Sequence, residues 1–213
     1  MLNYSERKQL KDEKFAKTNS IWCENRFNSI KKIGSMNAYF KQYYEDFYGT
    51  DLFNINDFIN YYYLNVRTRE EITEIAIEFY KKCKGIVSIS IHDAYYYTII
   101  RIFDETWDGF QRELCAINYL SKKYKNCDIK FSQQEDTQFC IDLIVSCGNK
   151  QIAFYQVKPI SFLNGLNKEY CKKAYLYNTE KHNEFYKKTG KKVLYIFDNN
   201  DNFIIKPYDK IFS

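Results

Sequence analysis

The chain has 213 residues, a formal net charge of +5, 45% hydrophobic and 19% aromatic residues, two prolines and seven glycines. This composition excludes a disordered chain and long flexible linkers, and the length suffices for one large domain or a compact core with an accessory lobe. The basic excess suits nucleic acid and an ordinary solvated surface equally, because acidic residues are interspersed throughout.

Met1 to Phe15 is charged from the start and has no apolar signal core, and no stretch approaches a membrane span, so residence in the cytoplasm is expected. The seven cysteines form no CxxC pair. Cys115, Cys127, Cys140 and Cys147 lie in apolar or mixed segments and read mostly as reduced, partly buried thiols. His92 and His182 lack metal-binding neighbours, and His182 reads as an exposed helical residue.

The first hundred residues read mainly as helices. Ser5 with Glu6, Arg7 and Lys8 begins a polar one, and Asn37 to Tyr48 carries a near one-sided aromatic stripe. Asp57 to Leu64 is apolar on nearly every side. Thr68 and Glu71 form a capping-box signature, followed by Ile72, Ile75, Ala76 and Phe79 at helical spacing and by Gly85. Ser90 and Asp93 start another helix, predicted to end near Phe103. Asp104 to Gly109 is expected to break the pattern, with Asp108 capping a helix from Phe110 to about Tyr124.

The texture changes after Cys127. Asp128–Phe131 reads as a short strand. The apolar runs Gln138–Ser146 and Gln151–Val157 flank the turn Cys147-Gly148-Asn149-Lys150 and predict an antiparallel hairpin. Pro159 ends the second strand, a helix is expected over Lys168–Lys188, and Val193–Phe197 and Phe203–Ile205 read as strands across Asp198 to Asp201. The expectation is an α/β protein: a mainly helical region over 1–89, packing on the core for DNA binding or dimerisation, and a core with a mixed sheet flanked by helices over 90–213.

Three residues of that hairpin belong together. Asp142 stands in an apolar run, where an unpaired carboxylate is costly. Gln156 and Lys158 lie two apart and project to one face of the next strand. A turn centred near residue 149 sets Asp142 roughly opposite Gln156, so an acid, a carboxamide oxygen and an ammonium converge at one sheet edge. Taken alone, Asp142 also reads as the partner of a core lysine. Glu113 alone reads as a helix-surface charge, Lys168, Lys172 and Lys173 as a solvated helix face or a DNA groove, and Thr106, Trp107 and Asp108 as a cap with a packed indole.

Asp142 followed by Gln156-Val157-Lys158 resembles the Asp…(Asp/Glu)-X-Lys pattern of the PD-(D/E)XK nucleases. The run Asp104 to Glu113, then Asp142 and Gln156-Val157-Lys158-Pro159, is similar to the MjaI-type restriction endonucleases; the likeness covers roughly residues 90–165. The resemblance implies a restriction-endonuclease-like core and site-specific cleavage of double-stranded DNA by a homodimer. It implies Mg2+, with Mn2+ as a substitute, held by Glu113, Asp142, Gln156 and the carbonyl of Val157. Lys158 would orient the attacking water. Gln156 departs from the acid usual at its position, which is why a carboxylate from the preceding helix, Glu113, is called for. The rival readings are a structure-selective or repair nuclease resembling junction resolvases, and a non-catalytic DNA- or protein-binding domain of the same fold.

Overall fold

The computed structural model describes residues 2–14, 18, 21–22, 36–132, 134–166, 169–199 and 202–207. Lys168 and the turn residues Asn200 and Asp201 lie outside them. The chain divides into two compact units, 1–108 and 109–213, so residues 90–108 count with the first. Among the described residues no helix is long and apolar enough to cross a membrane.

The first unit is helical: α1 (Tyr4–Lys14), α2 (Met36–Phe47), α3 (Ile55–Asn65), α4 (Arg69–Cys83) and α5 (Ile91–Ile99), then a π-helical turn over Ile100–Asp104. Local chemistry sets the starts. The Asn54 side chain accepts from the amides of Asn56 and Asp57, and Thr68/Glu71 and Ser90/Asp93 both close capping boxes. Ile72, Ala76, Phe79 and Cys83 form the buried stripe of α4.

The break expected over Asp104–Gly109 does not occur. From the π turn the chain runs directly into α6 (Glu105–Lys123), and Asp108 caps nothing; it accepts the Tyr4 hydroxyl and pairs with Lys8 at 3.9 Å. Tertiary contacts override the turn-forming residues. Asp104 is buried against Arg7 in a two-pronged bond of 2.7 and 2.9 Å, and burial raises its carboxyl pKa. Trp107 packs on Phe40, Phe53 and Phe58.

The second unit is built on one five-stranded mixed sheet: β1 (Asp128–Phe131), β2 (Leu143–Cys147), β3 (Lys150–Pro159), β4 (Val193–Asn199) and β5 (Asn202–Pro207), in that order across the sheet. All neighbours are antiparallel except β3 and β4. That parallel pair needs a crossover, supplied by α8 (Ile160–Asn164) and α9 (Glu169–Thr189). The β2–β3 hairpin turns at Gly148, whose φ of +59° suits glycine. One face of the sheet packs Leu143, Val145, Tyr155, Val157 and Ile196 against Ala116 and Leu120 of α6. The other buries Ile144, Phe154 and Val193 with Phe185 of α9, and Tyr195 and Phe197 with Phe162 and Tyr175.

Two further expectations are corrected. The strand expected from Gln138 begins only at Leu143, because Gln134–Phe139 forms a short helix, α7. Cys127 and Cys147, expected to be thiols, form a disulfide with their Cα atoms 4.4 Å apart. The antiparallel register that pairs Asp128 with Ser146 brings them opposite one another. Cys83, Cys140 and Cys171 are free thiols.

Candidate active site

Asp142 stands at the mouth of β2, one residue before the ladder starts, and is only 7% exposed. Its backbone is tied on both sides: its N–H donates to the Tyr155 carbonyl of β3 at 2.8 Å, and its carbonyl accepts from Ser132 N–H at 2.8 Å, next to β1. Its carboxylate oxygen Oδ2 accepts the Val157 amide at 2.7 Å. Since Leu143 pairs with Tyr155, the same register continued by one residue sets Asp142 opposite Gln156; the turn, which pairs Cys147 with Lys150, would by itself set Asp142 opposite Tyr155, and a bulge between Val145 and Ser146 makes the one-residue difference. A strand residue's N–H and C=O point the same way, so the Val157 carbonyl opens toward the edge where the Asp142 carboxylate lies.

Gln156 is 2% exposed, and its Oε1 has no hydrogen-bond partner among the described residues. A buried amide oxygen left unpaired costs about 1–3 kcal/mol, a cost that a donor or a cation at this atom would offset. Gln156 alternates with Val157 and so faces α9, on the side of Phe154 and Tyr195, its register partner in β4. Lys158 follows on the same face, half-buried, at the rim of a cavity of about 480 Å³ with Pro159, Ser161, Phe162, Cys171 and Asn178.

Glu113 comes from α6, on the opposite face of the sheet. It is half-buried and shares the sheet-facing stripe of Phe110, Ala116 and Leu120. Phe110 stacks on Phe131 of β1 with ring centroids 4.8 Å apart, and Tyr119 meets Phe203 of β5 at 4.9 Å. Glu113 lies between these anchors, where the helix crosses the middle strands. Gln111 and Arg112 are half-buried beside it, whereas Lys172 and Lys173 are solvated, Lys173 pairing with Glu169 at 2.9 Å.

The sequence reading missed a polar group beneath the site. His182 of α9 is fully buried, not exposed, and its Nε2 lies 3.3 Å from the Cys140 carbonyl. Its ring meets Tyr195 edge-on at 5.4 Å. Burial, reinforced by the charge of Lys158, lowers its pKa to about 4 against the hydrogen bond to Cys140. Burial likewise raises the Cys140 thiol and the Tyr195 phenol. Asn178, also buried, lies one turn before His182. The signal was available: Cys171, Tyr175, Asn178, His182 and Phe185 recur at helical spacing, so both polar residues fall on the buried stripe.

As donors, a carboxylate, an amide oxygen and a backbone carbonyl are hard oxygens, fitted to Mg2+ and similar cations rather than to zinc. Among the described residues there is no cluster of three or more His, Cys, Asp or Glu able to hold a metal. The unpartnered Gln156 Oε1 beside a tethered carboxylate is the arrangement such a cation would complete.

The order of elements around this group is a helix with Glu113, a short strand, a hairpin with Asp142 and Gln-X-Lys, a crossover helix and a parallel strand. Comparison with curated proteins and with solved structures gave no match. Comparison with protein families gave one described as MjaI restriction endonuclease, matching residues 18–203, a span that includes all of these elements from α6 to β4. With most of its length matched, the chain belongs to the MjaI restriction endonuclease family.

Proposed function

We propose that this chain is a Mg2+-dependent type II endonuclease that hydrolyses double-stranded DNA at a specific site, acting in the cytoplasm as a homodimer. The observation that carries the reading is the pair formed by the Asp142 carboxylate, fixed on the Val157 amide, and the unpartnered Gln156 Oε1 opposite it. Family membership supports nuclease chemistry and DNA as the substrate.

Asp142 supplies the negative charge at the site, and Gln156 and the Val157 carbonyl supply neutral oxygens; Glu113, on α6 across the sheet from Gln156, would add a second carboxylate only by meeting them at the sheet edge. A divalent cation held by these groups would polarise the scissile phosphate and acidify a bound water. Lys158, on the same face as Gln156, donates hydrogen bonds from Nζ to the attacking water or to a phosphate oxygen and offsets the charge that develops in the transition state. Mn2+ would substitute for Mg2+; Ca2+, with looser coordination, would bind without supporting turnover. Cutting both strands of a duplex calls for two such sites, which is the reason for proposing a homodimer.

Incubation of plasmid DNA with the protein and Mg2+, followed by mapping of fragment ends, tests the reading. Discrete fragments that vanish with EDTA support it. Preference for branched DNA would favour a resolvase-like enzyme, and binding without cutting a non-catalytic domain. Cleavage undiminished after thorough chelation would remove the proposed chemistry.

A further inference from the structure

We infer that His182 is a positioning residue that aims Asp142 and seats Gln156, an inference that rests on the metal-ligand reading of those two residues. The argument starts at Cys140. Its φ of +56° is left-handed, a conformation that costs a residue with a Cβ about 1 kcal/mol or more and is normally given to glycine or asparagine. This turn ends α7 and reverses the chain into Asp142 two residues later. The Cys140 N–H is held by the Asp136 carbonyl at 3.0 Å and the Ile141 N–H by the Glu135 carbonyl at 3.3 Å. The Cys140 carbonyl points inward, where His182 meets it.

A carbonyl only accepts, so the contact requires the tautomer with hydrogen on Nε2. His182 thereby ties the left-handed turn to α9. Ile141, fully buried against Phe154, Phe185 and Val193, fixes the next residue. Asp142 then has little freedom: its N–H is on Tyr155, its carbonyl on Ser132, its carboxylate on Val157. The same imidazole packs edge-on against Tyr195, the register partner of Gln156. One buried side chain thus braces the backbone behind the anionic ligand and the neighbour of the neutral one. Neither contact touches substrate, and both act through other residues.

The test compares His182→Gln with His182→Asn. The glutamine amide nitrogen reaches the position of Nε2 and restores the donor to Cys140; the asparagine nitrogen stops at the position of Nδ1 and does not. Binding of Mn2+ alone to the metal-free protein is measured by calorimetry, plasmid cleavage by single-turnover kinetics, and folding by circular dichroism. Outer contacts that orient ligands typically change metal affinity by about 10- to 100-fold. The expected result is that Gln stays within about threefold of wild type, while Asn loses at least about tenfold in Mn2+ affinity and in cleavage rate. Restoring backbone freedom with Cys140→Gly in the Asn variant should recover part of the loss, because glycine holds the left-handed turn unaided. Equal Mn2+ affinity and equal cleavage by the Gln and Asn variants, both at wild-type level, would overturn the role of His182 alone. Wild-type protein that binds no Mn2+ would overturn the ligand reading and this inference together.

Discussion

Replacing Asp142 by alanine and by asparagine separates what its carboxylate does for the fold from what it does for chemistry. The carboxylate accepts the buried Val157 amide at 2.7 Å. A hydrogen bond to a charged group contributes about 1.5–3 kcal/mol, and alanine would also leave that N–H without a partner. For a chain of this size each kcal/mol lowers Tm by about 2–4 °C, so Asp142→Ala should melt roughly 3–12 °C below wild type. Asparagine keeps an oxygen at the same position and the same volume. It should lose no more than about 1 kcal/mol, the difference between a charged and a neutral acceptor. Both variants remove the proposed anionic ligand and, on that proposal, should slow cleavage with Mg2+ by at least about a hundredfold. The assays are thermal melting of metal-free protein and single-turnover cleavage of a plasmid. A folded Asp142→Asn protein that cuts at the wild-type rate would refute the active-site assignment. An alanine variant as stable as the asparagine variant would refute the structural half of the argument.

Other outcomes follow from the same geometry. Gln156→Leu removes an unpartnered buried oxygen, so the metal-free protein should be at least as stable as wild type in urea while losing its response to Mn2+; a strong loss of stability would mean that Oε1 has a partner in the fold. Lys158→Ala should reduce the cleavage rate by about a hundredfold or more with little change in DNA affinity, read from single-turnover kinetics and gel shift; unchanged rates would exclude it from the chemistry. His182 has a folded pKa lowered from 6.5 to about 4, so the unfolded chain takes up the proton first as pH falls. Its contribution is present above pH 6.5 and is lost between there and about 4, by about 3 kcal/mol, a pH slope that His182→Gln should flatten in denaturation of metal-free protein. Reducing Cys127–Cys147 opens a loop of 20 residues and should cost up to about 3 kcal/mol in urea denaturation; seven thiols titrating in denatured, unreduced protein would refute the pairing.

The sequence by itself determined the elements whose signals are local. Thr68 with Glu71 and Ser90 with Asp93 announce helix starts that need only their own backbone, and Gly148 announces a turn that needs only a positive φ. From that turn, strand periodicity brings the Asp142 end of β2 back beside Gln156 and sets Lys158 on Gln156's face, whereas the facing of Asp142 and Gln156 also depends on a bulge between Val145 and Ser146 that shifts the register by one residue. Tertiary structure decided the rest. Asp104 to Gly109 is helical because Arg7 holds the buried Asp104 and an aromatic cluster packs on the half-buried Trp107, contacts far apart in the chain. Cys127 meets Cys147 only through strand pairing. The left-handed Cys140, the buried His182 and the orphaned Gln156 oxygen come together only when α9 packs across the sheet. Such contacts join positions many residues apart: helical spacing marks His182 as buried on α9 but does not say that it meets Cys140, whereas capping and pleating act over three or four residues and are written there directly.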